Sequence, residues 1–177
     1  MGILGIIWAI LGVSALLLNA IIRLAPRGVE ALQMELGVFQ WILLVGFALF
    51  MMVAEGYRGF QKSFSPRTAA RVKYLKNNPT GLRVILAPFF AMGFFEATKK
   101  TKIVVWSIMT MVVLLITLVS QLPQPWRGII DIGVVLGLSW GVISFWVLTF
   151  RALTSSQFAA SPMLPVGDPV GQSNGAG

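Results

Sequence analysis

Apolar residues gather into four long runs along the chain: Ile3 to Ile22, Leu36 to Ala54, Ile103 to Leu122 and Ile129 to Phe150. They are too long and too uniform for strands or for the one-sided stripe of a soluble helix. As helices rising about 1.5 Å per residue, each is long enough to cross a hydrocarbon layer of about 30 Å. A helix satisfies its own backbone donors and acceptors in lipid, so the pattern predicts an all-α integral membrane protein with four transmembrane helices. Arg23 closes the first run and Arg151 the fourth. The first run has no basic stretch before it and no small-residue cleavage site after it, so it is expected to be a retained span rather than a signal peptide.

The connections differ in character. Val29, Leu32 and Leu36 recur at helical spacing, which predicts that the second helix starts before it enters the lipid, and Gln40 within it is expected to bond to a neighbouring helix. Residues 55–102 form the central loop. There Ser65 suits an N-cap, Pro66 the first helical position and Asn77-Asn78-Pro79 a stop, predicting a short amphipathic helix with Ala69, Val72 and Leu75 on one side. The broken apolar segment Val84 to Ala97 follows, about 20 Å long as a helix and interrupted by Pro88 and Gly93. It reads either as a re-entrant element or as an interfacial lead-in to the third span. Pro123, Pro125 and Gly128 mark a tight turn before the fourth span. The Ser-, Pro- and Gly-rich stretch from Ala152 lacks periodicity. The expected layout is one four-helix transmembrane domain over residues 1–151 and a disordered cytoplasmic tail over 152–177.

Composition sharpens this picture. Of 177 residues, 56% are hydrophobic and only 11% charged, against about 25% charged in soluble domains. Lysine and arginine total 14 against 6 acids, a formal charge of +8. Ten of those 14 cations lie in residues 55–102, which by the positive-inside bias predicts a cytoplasmic central loop and two cytoplasmic termini. Compact loops suit a bacterial inner membrane. The chain has no Cys and no His, which removes thiolate nucleophiles, disulfides, imidazole bases and the usual ligands for zinc or haem. The six acids stand singly. No catalytic residue, cofactor or metal site is expected.

Three features could carry function. Arg58, Lys62, Arg67, Arg71, Lys73 and Lys76 form a cluster without an acid, suited either to fixing topology or to docking anionic lipid or an acidic partner. Nucleic acid is a poor third, because the membrane is the nearer polyanion. Gly133, Gly137 and Gly141 make a G-x-x-x-G-x-x-x-G face on the fourth span, expected to pack against Gly5, Ala9 and Gly12 of the first helix or against another chain. Asp131 lies inside a span with Arg127 four residues earlier, either as a structural ion pair or as a group coupled to proton or cargo movement. Glu55 and Glu96 read as boundary residues.

Together these point to a non-catalytic scaffold, assembly or regulatory subunit of the membrane, with lipids and a membrane-protein partner or a second copy as its associates. The alternative is a small transporter or channel-forming oligomer that uses Asp131 and Arg127.

Overall fold

A computed structural model describes residues 2–155 and 158–165. Among the described residues it is all-helical, 81% helix with no strands. Helix α1 spans Gly2–Leu32, and α2 (Val38–Met51) runs through a π-helical stretch (Met52–Phe64) into α3 (Ser65–Asn77). Two short helices follow, α4 (Gly81–Ile85) and α5 (Ala87–Met92), then α6 (Lys99–Val119) and α7 (Trp126–Thr154). Four helices are long and apolar enough to cross a membrane: Gly2–Leu32, Val38–Asn77, Lys99–Val119 and Trp126–Thr154. Their outward surfaces suit lipid. On α6 only Thr101 and Val105 are buried, while Ile103, Leu114 and Leu118 each expose about two thirds of their surface.

The largest departure from the sequence reading concerns residues 55–77. They are not a loop with a separate amphipathic helix but the continuation of the second span, one helix of 40 residues from Val38 to Asn77. Hydropathy falls at Glu55 because the side chains turn polar, yet polarity alone does not end a helix. Ser65, expected as an N-cap, is fully buried in helical geometry (φ −64°, ψ −42°), and its amide donates to Phe60 O five residues back. That wider π turn precedes Pro66, whose missing N–H and bulky ring an α-helical turn accommodates poorly. The expected stop does fall at Asn77.

Other boundaries moved as well. The helical spacing near Val29 belongs to α1, which runs through Arg23, Pro26 and Arg27 to Leu32. Gln40 caps its own helix: its Oε1 accepts from the Gly37 N–H at 2.9 Å. Helix α7 continues to Thr154, and part of the stretch expected to be disordered is held in place, with the Thr98 N–H donating to Met163 O at 3.0 Å. Residues 156–157 and 166–177 of that expected tail lie outside the described residues.

The chain divides into two compact units, one built from residues 1–13, 66–111 and 148–177, the other from residues 14–65 and 112–147. All four long helices contribute residues to both.

The first unit is organised around Arg71, which is wholly buried. Its Nε donates to Phe90 O at 2.6 Å, Nη1 to Pro162 O at 3.0 Å, and Nη2 to Phe95 O at 2.8 Å and Glu96 O at 3.1 Å. The guanidinium also lies over the Phe90 ring, 4.2 Å from its centroid. Helix α5 ends at Gly93, left-handed at φ 91°, and the turn beyond it leaves carbonyls with no helical donor. A planar cation with five N–H groups meets that need better than any neutral side chain. Glu96 is held in the same turn at φ 47°, a costly conformation for a residue with a Cβ. Its carbonyl is bound by Arg71 and its carboxylate by Arg83. The broken segment is therefore packed in place, with Ala87, Pro88, Phe90 and Ala91 buried and Pro88 seated against Gly12 of α1.

Arg71→Lys, which keeps the charge but not the fork, is expected to destabilise by about 2 kcal/mol, and Arg71→Gln by about 3–5 kcal/mol. Thermal unfolding in mild detergent measures this, together with faster proteolysis near residue 160 in both variants. A wild-type midpoint in Arg71→Gln would contradict the structural role.

Candidate functional site

The second unit carries the glycine face. In it α7 runs antiparallel to α1, since Gly28 meets Ile132 and the Trp146 Nε1 donates to Ser14 Oγ at 3.0 Å. The Val38–Asn77 helix runs parallel to α7, with Phe47 opposite Gly133, Met51 and Glu55 opposite Gly137, and Phe60 opposite Gly141. The glycines thus serve contact within the chain, and their partner is the second long helix rather than the first. Gly5 and Gly12 of α1 instead face Leu75, Val84 and Pro88 in the other unit. Such a close approach, packing ring and backbone against bare α7, is the kind of contact that holds helices together where the hydrophobic effect does not act, as in lipid. A Cβ on Gly133 or Gly141 would stand 2.5 Å from a phenylalanine ring carbon.

The same register places polar groups against the middle of α7. Trp140 Nε1 donates to Gln61 Oε1 at 2.8 Å, and Gly56 lies beneath the Trp140 side chain. Glu55 is half-buried, its Oε2 closed off from solvent with no hydrogen-bond partner. Its neighbour on α7, Gly137, lies near the centre of that helix, so Glu55 is packed against a helix rather than at a helix end.

Asp131 and Arg127 are brought together, with Arg127 Nε 3.9 Å from Asp131 Oδ2. That separation is an ion contact, not a hydrogen bond, and both atoms are buried without a hydrogen-bond partner. Beside them Gln124 ties α7 to α1, its Nε2 donating to Arg27 O and Glu30 Oε2 and its Oε1 accepting from the Gly128 N–H.

The proposed docking cluster is dispersed by burial. Arg71 is internal and is removed from it, because the carbonyls of Phe95, Glu96 and Pro162 would lose its N–H donors if it turned outward. Arg67 is partly buried, its Nε enclosed without a hydrogen bond. Lys73 donates to Ser155 O at 2.7 Å. Arg58, Lys62 and Lys76 remain exposed, with the Lys62 Nζ 4.6 Å from the Tyr57 ring centroid. Sequence reasoning passed over Lys99, Lys100 and Arg151, which are exposed and belong to the first unit with Lys76. Arg151 lines an open cleft of about 440 Å³ with Pro66, Leu148, Thr154, Ser155 and Phe158. Reading charge along the chain does not single out Lys76, Lys99, Lys100 and Arg151, because they lie on three different helices, α3, α6 and α7.

The first unit contains nine of the 14 basic residues, with Glu96 its only acid among the described residues, whereas the second contains five basic residues and four acids. No family model matches the chain, and neither a curated protein nor a solved structure matches it.

Gly141→Ala is expected to destabilise by about 1–3 kcal/mol through overpacking against Phe60. Gly46→Ala, where a Cβ meets nothing within 4 Å, is expected to be neutral or slightly stabilising. Paired unfolding curves in detergent compare the two, and equal midpoints would refute the packing role.

Proposed function

We propose that this chain is a non-catalytic, multi-pass membrane protein that acts as a scaffold, assembly or regulatory subunit, docking through the exposed cations of its first unit. The observation that carries this reading is the charge imbalance of that unit, nine cations against one described acid. Lys76, Lys99, Lys100 and Arg151 point the excess outward. The bias toward basic cytoplasmic flanks supports the reading that this unit, with both termini, faces the cytoplasm, in keeping with a bacterial inner membrane. An anionic leaflet or an acidic partner meets the same surface, each exposed cation contributing about 1 kcal/mol before screening.

Charge-neutral glutamine at Lys76, Lys99, Lys100 and Arg151 together is expected to reduce both partner co-elution in mild detergent and retention of anionic phospholipid. The lipid effect should be about tenfold or more at low salt. Native mass spectrometry from bilayer discs containing anionic and zwitterionic lipid reads it directly. Unchanged retention and an unchanged set of co-eluting proteins would end this reading.

The unsatisfied Asp131 Oδ2 and Arg127 Nε favour a second reading, a small transporter or channel-forming oligomer. It requires that Asp131→Asn lose solute or proton flux in liposomes. Flux equal to wild type, or none above protein-free vesicles, excludes it.

A further inference from the structure

We propose that Glu55 is a proton-binding site inside the helix bundle, where Gly137 makes room for its carboxyl and where loss of the proton changes how the Val38–Asn77 helix packs on α7. This goes beyond the docking role and rests on the reading of these helices as membrane-spanning.

The argument begins with the surroundings of the carboxyl. Oε2 is shut away from solvent and receives no hydrogen bond. The α7 residue against it is a glycine, on which a Cβ would stand 3.0 Å from Oε2 and 3.3 Å from the Glu55 Cβ. No side chain there can donate. The charged groups nearby in sequence are committed or turned away: Arg58 is exposed, and Lys62 lies by Tyr57. On α7 the ionisable groups are Asp131 and Arg127, which face each other at 3.9 Å, and Arg151 in the last turn, which is exposed. On α1, Arg23 and Arg27 are exposed. Neither of the described ion pairs, Arg83–Glu96 and Arg127–Asp131, includes Glu55.

An ionised carboxylate with one oxygen shut away and unpartnered in this way is penalised by desolvation at that atom, whereas the neutral acid is an ordinary weakly polar group. The packing at Oε2 favours the neutral acid. Once the proton is lost, water or a cation at Oε2 would relieve the penalty at that atom, which favours a looser contact with α7. The backbone offers a way to do so. Glu55 sits in the π-helical stretch Met52–Phe64, and closing a π turn back to α-helical bonding would rotate the side chains beyond it about the helix axis. Gly137 and Gly141 present no side chains on α7 in the path of that rotation, which is opposed by the loss of contacts such as Phe60 on Gly141 and Gln61 on Trp140.

The test uses the purified full chain in detergent and dicyclohexylcarbodiimide, an apolar reagent that reacts with protonated carboxyls shielded from water. Peptide mapping should find Glu55 modified, faster in acidic than in alkaline buffer. Modification at that site should be abolished in Glu55→Gln and retained in Asp131→Asn. Because glutamine matches the shape of the neutral acid, Glu55→Gln should keep the wild-type unfolding midpoint in acidic buffer, which separates loss of the site from loss of the fold. Spin labels on Ser63→Cys and Leu136→Cys, both exposed positions in a chain without native cysteine, should show a distance change between acidic and alkaline buffer that is absent when Glu55→Gln is added. No modification of Glu55, modification indifferent to pH, or a distance that never shifts would overturn the proposal. Protection by sodium ion at constant pH would assign the carboxyl to a metal cation and overturn it equally.

Discussion

A buried guanidinium is expensive to desolvate, and in the first unit Arg71 recovers that cost only because four backbone carbonyls converge on it. Those carbonyls come from the turn that ends α5 and from the segment after α7, stretches with no regular partner of their own. The dependence is mutual. Arg71 could not be buried without the turn, and the turn could not hold Glu96 in a left-handed conformation without Arg71 and Arg83. Phe90 contributes twice, with its carbonyl as acceptor and its ring as the face on which the cation rests. One side chain from α3 thereby positions the short helices and the segment around Met163.

The second unit depends on a different economy, that of side chains left out. Its α7 glycines let Phe47, Met51 and Phe60 approach the helix backbone, and Gly56 returns the arrangement by admitting Trp140. Where bulky and absent side chains alternate on both helices, register is specified by shape, and hydrogen bonds such as Trp140 to Gln61 confirm it locally. The same close fit is what isolates Glu55.

Much of this architecture was legible in the amino-acid order. Four apolar runs became four long helices, since length and hydropathy are collective properties that survive local error. The helix stop at Asn77 was legible for the same kind of reason, a local backbone signal with few competitors. What failed depended on long-range pairing. Ser65 and Pro66 look like a helix start in any local window, and only the π turn behind them lets the helix pass through. Arg71 is indistinguishable in sequence from Arg67 or Lys73, because nothing local announces that carbonyls near residues 90, 95 and 162 will surround it. The glycine repeat was recognisable, but its partner was not, since glycine states that something comes close without saying what.

The uninterrupted helix from Val38 to Asn77 has a consequence in its reach. Forty residues at no more than about 1.5 Å each follow a path of up to about 60 Å, roughly twice the thickness of a hydrocarbon layer. A bilayer that covered the apolar half would leave the polar half, from Glu55 onward, to the headgroups and the water beyond them.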